Sequence, residues 1–373
     1  MELPLRREDF STLPGWAEDR PAAAFAAFCR SAEHALRVGP YRAGGWGLGH
    51  ADFESAYRAA LSDPAPVSDE SARLFFQTHF RPVEICPDAA DGLITGYYEP
   101  EIEVRARPDA RFRYPFLRKP DRLVPVPDPD NPPGDVPRGH AFMLENDGVP
   151  APCPDRQAIE TGAFAQESLE IAWAASRIDV FFAHVQGCAR LRYGDGRVTR
   201  INYAAKSGHP FTAIGRLLIE RGEVPADRIS MDAIRAWLAV EPDRADRLMR
   251  ENRSFIFFSE TALAGDGSGP VGAGRVPLEP GRSLAVDHRI HCYGSPVFVR
   301  ASGLAEFDAA RPFARLMIAQ DTGTAITGPV RGDVFTGSGA AAGERAGSLK
   351  APARFVMLVP AGSRIARQAG HER

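Results

Sequence analysis

Two aspartates, Asp321 and Asp333, stand close together in a glycine-rich part of the chain. Asp321 follows an apolar run with strand character and opens a Gly-rich turn, and Asp333 follows twelve residues later between further glycines. A carboxylate where a strand meets a loop is firmly held yet open to a ligand. Two acids in unlike environments can divide acid and base work on a glycosidic bond, because one keeps its proton near neutral pH. An aspartate beside glycine is also common turn chemistry, so both interpretations stay open here.

A second string, Thr95–Pro100, combines two tyrosines with an acid. It is typical of a strand end with aromatic side chains in the core. It also suits a glycan, because sugar faces stack on rings and sugar hydroxyls bond to carboxylates such as Glu99. A further string, Ser207–Gly215, contains His209 before a proline, which favours a helix start over a catalytic role.

Three short motifs resemble known functional signatures but lack the structural context that each signature needs. Asp321–Gly323 spells the aspartic protease tripeptide, but that chemistry needs two copies and the chain has one. Gly267–Gly272 spells a dinucleotide fingerprint, but it contains Pro270 and neither follows a clear strand nor opens a helix. Gly337–Gly339 lacks the spacing of a nucleophile elbow.

Length and charge limit the class of protein. The chain has 373 residues, enough for two domains, and its net charge of -3 gives no basic footprint for nucleic acid. No apolar run is long enough to span a bilayer. The first residues lack the apolar segment of a secretory signal, so we expect either a cytosolic protein or an export segment outside this sequence.

Cysteine and histidine spacing favours neither metal nor cofactor. The five cysteines form no CxxC pair and predict buried thiols, with one disulfide left open. His288 and His291 lie near Asp287, but a zinc site needs three or four ligands in a defined geometry. We therefore expect no metal and no cofactor.

Hydrophobic periodicity predicts helices first and strands last. The proline-rich stretch 108–137 is expected to form loops or edge strands at a crossing between domains. A Gly-Asp-Gly turn inside 190–203 predicts a hairpin. The predicted helices are 22–36, 52–61, 70–80, 168–182, 211–221 and 230–250. The predicted later strands are 255–258, 282–286, 296–300, 316–320 and 355–359, a spacing typical of a small closed barrel.

Taken together, the strings resemble the membrane-bound lytic murein transglycosylase A (MltA) family, whose C-terminal 3D domain is named for three aspartates. Five separated motifs carry the resemblance: T-G-Y-Y-x-P, G-H-P-[FY]-T-x-I-G, N-x-S-F-x-F-F, G-R-S-L-A-V-D, and D-x-G-x-A-I-x-G with a later Asp and F-x-G-x-G. They extend from about Gly96 to Val359. Two departures are Thr324, where glycine is usual, and an Asp321 to Asp333 interval one residue longer than usual.

The resemblance implies an α+β, β-rich fold of two domains. Residues 1–103 and 256–373 would form a double-psi β-barrel domain with N-terminal helices and the catalytic aspartate. Residues 104–255 would form an inserted β-barrel-like domain, the other wall of a glycan groove.

The same resemblance implies the site residues. Asp333 corresponds to the family's single catalytic acid, Asp321 to its supporting acid, and Asp287 to the third aspartate. The implied substrate-binding residues are Thr95, Gly96, Tyr97, Tyr98, Glu99, Asp287, Gly323, Ala325, Phe335 and Gly337.

The implied activity is cleavage of the β-1,4 bond between N-acetylmuramic acid and N-acetylglucosamine in peptidoglycan, leaving 1,6-anhydro ends. The implied partner is the glycan strand, and the expected protein is a periplasmic monomer with peripheral association at the outer membrane. Two alternatives stay open: an inverting hydrolase that uses Asp333 and Asp321, and a non-catalytic, expansin-like glycan binder.

Overall fold

The computed structural model describes residues 5–62, 68–87, 92–263, 269–302, 304 and 312–368. The chain folds into two compact units. The first unit contains Met1–Tyr98 and Ser268–Arg373, and the second contains Glu99–Gly267. None of the described helices is long and apolar enough to cross a membrane.

The secondary structure elements are numbered in chain order. The described helices are α1 Ala22–Arg37, α2 His50–Ser62, α3 Asp69–His79, α4 Arg156–Glu160, α5 Arg177–Gln186, α6 Ile214–Glu220, α7 Met231–Val240, α8 Pro242–Glu251, α9 Ala340–Ser348 and α10 Arg364–Gln368. The described strands are β1 Leu5–Arg7, β2 Phe80–Ile85, β3 Gly92–Glu99, β4 Glu101–Arg105, β5 Tyr114–Leu117, β6 Leu123–Pro125, β7 Phe142–Asn146, β8 Val149–Ala151, β9 Glu170–Ala174, β10 Cys188–Tyr193, β11 Val198–Lys206, β12 Ile256–Ala262, β13 Ser283–Val286, β14 Pro296–Ala301, β15 Phe313–Asp321, β16 Arg331–Ser338 and β17 Lys350–Pro360.

The first unit contains a closed six-stranded barrel. Its strands follow the order β17-β14-β15-β13-β16-β3, and β3 pairs again with β17 to close the ring. Strands β2 and β1 extend the sheet beyond β17. Strand β15 is buried from Leu316 to Gln320, because one face lines the barrel and the other is covered by α1. This explains its continuous apolar sequence, which lacks the alternation of a half-exposed strand.

Helix α1 packs closely on β15 because its inner face is made of small residues. Ala24, Ala27, Ser31 and Ala35 are all buried at helical spacing. Gln320 Nε2 donates hydrogen bonds of 2.8 Å to the carbonyl of Ala27 and to Ser31 Oγ. The side chain of this fully buried glutamine therefore ties the barrel wall to the helix.

A β-bulge at Gln320 sets the direction of the next residue. On β13, Leu284 pairs with Ala319 and Ala285 pairs with Asp321, so Gln320 has no partner in this ladder. Its Oε1 accepts a hydrogen bond from Ser283 Oγ on β13. A bulge re-aims the following side chain, and here that side chain is the carboxylate of Asp321.

The second unit contains a six-stranded sheet in the order β12-β11-β10-β4-β9-β5. Arg118, just after β5, forms a β-bridge with Phe258 of β12, so the two edges of the sheet meet. The unit also has a three-stranded sheet, β6-β7-β8, and a helical cluster of α6, α7 and α8 with its own apolar core. The expected α+β, β-rich fold with a closed barrel and N-terminal helices is confirmed.

Most predicted elements are confirmed, and the departures have identifiable causes. The helix predicted over 168–182 is wrong in its first half, because β9 occupies Glu170–Ala174 and α5 begins after Ser176. Strand β9 lies between β4 and β5, so sheet pairing overrides the helical periodicity. The helical region predicted from Ser230 to about Arg250 is confirmed, and Pro242 divides it into α7 and α8.

The boundary between the units differs from the expected division after residue 103 and before residue 256. The second unit begins at Glu99 and ends at Gly267, so it contains all of β4 and all of β12. Both strands pair within its sheet. The boundaries therefore follow strand pairing.

We expect Gln320→Leu to destabilise the protein by about 2–4 kcal/mol, because it leaves Ser283 and Ser31 without their amide partner in the core. The free energy of unfolding in urea measures this. Gln157→Leu is the control, since Gln157 is exposed on α4 and should change stability little. An equal loss in both variants would contradict the role given to Gln320.

Candidate active site

Asp321 and Asp333 lie on the barrel wall on either side of one small residue. Ala285 of β13 pairs with Asp321 of β15 and also with Asp333 of β16. Adjacent strands are about 4.8 Å apart, so the two Cα atoms are about 10 Å apart across β13. Residues paired in this way project to the same face of a sheet. The sheet therefore brings together the two acids that the sequence analysis singled out.

Asp321 is held by three hydrogen-bond donors. Its Oδ1 accepts from the backbone N–H groups of Ala273 and Thr322, both at 2.9 Å. Its Oδ2 accepts from Tyr97 Oη at 2.7 Å. Three donors stabilise the ionised form of a carboxyl group. Against this, burial raises the pKa of Asp321, and that effect is the largest acting on the group.

Within the described part of the chain, Asp333 accepts one hydrogen bond, from Thr95 Oγ1 to its Oδ1 at 2.6 Å. Burial is the main cause that raises the pKa of Asp333, and the charge of Asp321 raises it further. The Thr95 hydrogen bond and the charge of Arg331 act in the opposite direction. Asp333 has fewer recorded donors than Asp321 and a second acid nearby, and both conditions favour the protonated form of its carboxyl group.

The apolar lining of the site explains why burial dominates. Tyr97, Leu278, Ala285, Ile326 and Phe335 form one buried cluster. The rings of Tyr97 and Phe335 lie 5.5 Å apart between centroids. These side chains replace water around the carboxyl groups, and loss of water disfavours the charged form.

The segment 269–281 is packed closely against Asp321. A Cβ on Gly272 would lie 2.6 Å from the carbonyl oxygen of Gln320 and 3.3 Å from Asp321 Cγ. Glycine at this position therefore lets the backbone approach near enough for Ala273 N–H to reach the carboxylate. Tyr41 Oη supports the segment by donating to the carbonyl of Gly274 at 2.7 Å.

The two tyrosines of the Thr95–Pro100 string have different surroundings, although both are buried. Tyr97 directs its hydroxyl to Asp321. Tyr98 packs against α9, where a Cβ on Gly343 would lie 2.9 Å from its ring. Gly96 is similarly close to the backbone of Ala346 on α9. Tyr98 and Gly96 thus fix β3 against its helix, which is the core interpretation of this string.

Asp287 lies beyond the end of β13 and is bound internally. Arg289 Nε and Nη2 donate to its two oxygens at 2.9 and 2.8 Å, and Gly328 N–H donates at 2.9 Å. These contacts hold the pKa of Asp287 well below its usual range, with the Arg289 hydrogen bond as the largest cause. Asp287 therefore anchors the segment that follows Asp321 by its hydrogen bond to Gly328.

Glu99 belongs to the second unit, and its carboxylate is fully buried. Arg190 Nε donates to Oε2 at 2.9 Å, and Arg200 donates to Oε1 from Nε at 2.5 Å and to Oε2 from Nη2 at 3.0 Å. Arg190 and Arg200 are cross-strand neighbours on β10 and β11. Glu99 therefore neutralises two arginines where the chain enters this unit.

The remaining predicted residues lie around the acids. Gly323 and Ala325 are exposed in the turn after Asp321, where Ile326 N–H donates to the carbonyl of Gly323. Phe335 is buried in the apolar cluster. Gly337 has φ +115°, in the left-handed region that favours glycine, and lies at the end of β16.

Sequence reasoning missed two parts of the site. Asp333 was expected in a loop, but it lies on β16, because glycines allow this strand to pass through a crowded part of the barrel. A Cβ on Gly332 would lie 2.9 Å from both Leu284 and Phe355. The sequence does not predict this strand. It therefore gives no reason to place Arg331, two residues before Asp333, on the same face. The sequence also gives no signal for the donor at Ala273, because a backbone N–H group donates by its position and not by its residue type.

The described residues contain no group of three or more His, Cys, Asp and Glu side chains able to hold a metal ion. The five cysteines are all free thiols.

The site is a pair of acids on a barrel wall beside an apolar cluster, and comparison with known proteins gives its family. Residues 93–259 match the MltA specific insert domain, and residues 282–359 match the 3D domain. A membrane-bound lytic murein transglycosylase from Agrobacterium tumefaciens has a similar crystal structure, with TM-score 0.89 and 45% identity over 98% of this chain and 99% of that one. The chain belongs to the MltA family of membrane-bound lytic murein transglycosylases.

Two further relatives are informative. Membrane-bound lytic murein transglycosylase A of Vibrio cholerae is 33% identical over 264 residues, which are 69% of this chain and 62% of that protein. The chain thus matches about three fifths of this curated relative. The structure of Escherichia coli MltA with bound chitohexaose is 26% identical, with TM-score 0.67 over 91% of this chain and 90% of that one.

We expect Glu99→Gln to destabilise the second unit by about 3–5 kcal/mol, because it leaves two arginines, one of them buried, without their counter-charge. Unfolding in urea followed by fluorescence measures the change. Glu101→Gln is the matched control, since Glu101 is exposed and pairs with the exposed Arg192. Similar losses in the two variants would argue against the buried ion pair as the cause.

We expect Asp333→Asn to raise the stability of the protein at pH 7 by about 1 kcal/mol, in the range of changes at functional sites. The pKa of Asp333 is higher in the folded state than in the unfolded state, so ionisation weakens the folded state. The stability of the wild-type protein therefore falls as pH rises from the unfolded pKa through the folded pKa. Asparagine does not ionise. The gain should disappear below about pH 4, where the wild-type carboxyl is protonated in both states.

Thermal unfolding at pH 7 and pH 3.5 checks this, with Asp135→Asn as the control because Asp135 is exposed in a loop. A variant less stable than wild type at pH 7 would count against a raised pKa.

Proposed function

We propose that the protein is a lytic transglycosylase of peptidoglycan. It would cleave the β-1,4 bond between N-acetylmuramic acid and N-acetylglucosamine without water and leave a 1,6-anhydro muramic end. The observation that carries the proposal is the asymmetry of the acid pair. Asp333 has one donor and a pKa raised by burial, whereas Asp321 has three donors.

The first chemical step needs an acid that is protonated at working pH. Asp333 gives its proton to the glycosidic oxygen, and the bond from that oxygen to C1 of the muramic residue breaks. The leaving N-acetylglucosamine departs with the proton as its 4-hydroxyl. Asp333 is then a carboxylate beside a sugar with developing positive charge at C1.

The second step returns the proton to Asp333. The C6 hydroxyl of the same muramic residue attacks C1, and Asp333 accepts the hydroxyl proton as the new ring closes. The nucleophile is part of the substrate and already near C1, so no second base is needed to orient a water molecule. One carboxyl group serves as acid and then as base, and it ends in its starting state.

Asp321 supports these steps by its charge. As a carboxylate held by Tyr97 and two backbone N–H groups, it favours the proton on Asp333. It also lies on the face where positive charge develops, so it can stabilise that charge. An inverting hydrolase would need Asp321 as a base for water. Its engaged oxygens favour the lyase over this alternative.

We also propose that the protein works in the periplasm as a monomer, with peripheral association at the outer membrane. Murein is the substrate that a transglycosylase of this family would meet there, and the relatives are named membrane-bound. Cell fractionation with light scattering of the purified protein tests both parts. A protein found only in the cytoplasm, or a stable dimer, would contradict them.

We expect Asp333→Asn to lose transglycosylase activity by at least about 10²-fold, as general acid catalysis contributes 10²–10⁴-fold. Binding of chitohexaose should stay within a few-fold of wild type, because the amide keeps the shape of the side chain. Mass spectrometry of products from purified murein sacculi and calorimetry with chitohexaose measure the two quantities. Asp135→Asn should retain full activity.

Other products would identify other mechanisms. Reducing ends from the wild-type protein would indicate a hydrolase. Binding without any release would indicate a glycan-binding protein. Near-native activity of Asp333→Asn would show that the acid is another residue.

A further inference from the structure

Arg331 contacts the catalytic site through Thr95. Its Nη2 donates to Thr95 Oγ1 at 2.8 Å, and the same Oγ1 donates to Asp333 Oδ1 at 2.6 Å. Arg331 and Asp333 are two residues apart on β16, so both side chains lie on one face of the strand. Thr95 is on β3, the neighbouring strand in the sheet. The three residues form a chain from a guanidinium group to the acid.

The direction of these hydrogen bonds follows from the chemistry of the groups. A guanidinium group can only donate, whereas a hydroxyl group has one hydrogen to donate and lone pairs to accept. Because Arg331 donates to one lone pair of Thr95 Oγ1, the single hydroxyl hydrogen points away from Arg331. At 2.6 Å its partner is Asp333 Oδ1. The hydrogen bond from Arg331 thus favours Thr95 as the donor to that oxygen.

This arrangement decides where the acid carries its proton. Oδ1 accepts the Thr95 hydrogen, so a proton on Oδ1 would face another hydrogen at short range. The proton of the neutral acid is therefore on Oδ2. Among the described residues the structure records no hydrogen bond to Oδ2, which leaves that oxygen for the substrate.

We propose that Arg331 is a positioning residue for the transglycosylase reaction, which orients the Asp333 carboxyl through Thr95. The inference rests on the proposed function and deepens it. Without Arg331, the Thr95 hydroxyl is free to rotate and to accept a hydrogen bond from a protonated Oδ1. The catalytic proton would then be held in a position turned away from the glycan.

The charges around Asp333 give the sign of the expected pH effect. Arg331 is on the same strand, and Asp321 lies across β13. Strand β3 contributes the neutral hydroxyls of Thr95 and Tyr97, and β13 contributes Ala285. The positive charge of Arg331 lowers the pKa of Asp333. Removing that charge raises the pKa, so the protonated acid should persist to higher pH.

The test is the pH profile of anhydro-end release from murein sacculi by Arg331→Gln. Activity falls on the alkaline side as Asp333 loses its proton. We expect the midpoint of this alkaline limb to shift to higher pH by about one unit or less. The shift is small because the charge of Arg331 lies beyond the Thr95 hydroxyl and is partly solvated. We also expect kcat to fall roughly tenfold with KM little changed, since the loss is one of orientation.

Two further variants test the role of Thr95 as intermediary. Thr95→Ser keeps the hydroxyl and should retain most of kcat. Thr95→Val removes it and should lower kcat as Arg331→Gln does, and combining the two changes should add little. Arg331→Lys keeps the charge and a donor, so it should restore the alkaline limb toward wild type.

Arg37→Gln is the matched control. Arg37 makes an exposed i,i+4 pair with Glu33 on α1 and has the same change in charge. Its pH profile should superimpose on that of wild type. Thermal unfolding of each variant separates loss of fold from loss of positioning.

Each outcome has one meaning. An unchanged alkaline limb in a folded, active Arg331→Gln variant would overturn the inference and leave the proposed function intact. A rise in KM that is seen only with murein that carries peptide stems would overturn the inference, because it would indicate direct substrate binding by Arg331. Absence of anhydro ends from the wild-type protein would instead overturn the proposed function.

Discussion

The removal of water from two carboxyl groups is the constraint on which the candidate site depends. Asp321 and Asp333 are partly buried on the wall of a barrel beside a cluster of apolar side chains, and Ala285 separates them. A larger residue on β13 would fill the space between the acids, whereas alanine leaves it open. The barrel supplies the apolar environment and the spacing together, so the proton chemistry follows from strand pairing. A loop could carry the same residues, but it would not keep them partly shielded from water at a fixed separation.

Unequal hydrogen bonding gives the two acids different properties. Asp321 receives donors from three separate segments: Tyr97 on β3, Ala273 in the close-packed turn and its own neighbour Thr322. Asp333 receives one hydroxyl, which is itself bound by Arg331. The bulge at Gln320 is the backbone feature that turns Asp321 toward its donors. The β-bulge thus contributes to the difference in hydrogen bonding between the two acids. The buried amide of Gln320 stabilises this bulge.

Sequence patterns predicted a small closed barrel and singled out the acid pair because both have local signals. The apolar run before Asp321 predicted β15, and the alanine-rich periodicity predicted α1. The signals failed where tertiary contacts decide. Strand β9 has helical periodicity but pairs between β4 and β5. Strand β16 is interrupted by glycines that the crowded barrel requires. The Ala273 donor and the Thr95–Arg331 chain depend on strands that are distant in sequence, so no local pattern could reveal them.

The hydrogen-bonding state of Asp321 also bears on why one acid should suffice. A base that activates water must direct a lone pair at that water, and the three hydrogen bonds that Asp321 accepts leave it about one of its four lone-pair sites. Its main contribution in the proposed reaction is electrostatic, and a charge acts at the distance of two strands. The substrate of the proposed reaction brings its own hydroxyl nucleophile, so the site needs only one group that can give a proton and take one back. Asp333, with a single donor and one oxygen left for the glycan, has the freedom that such a group requires.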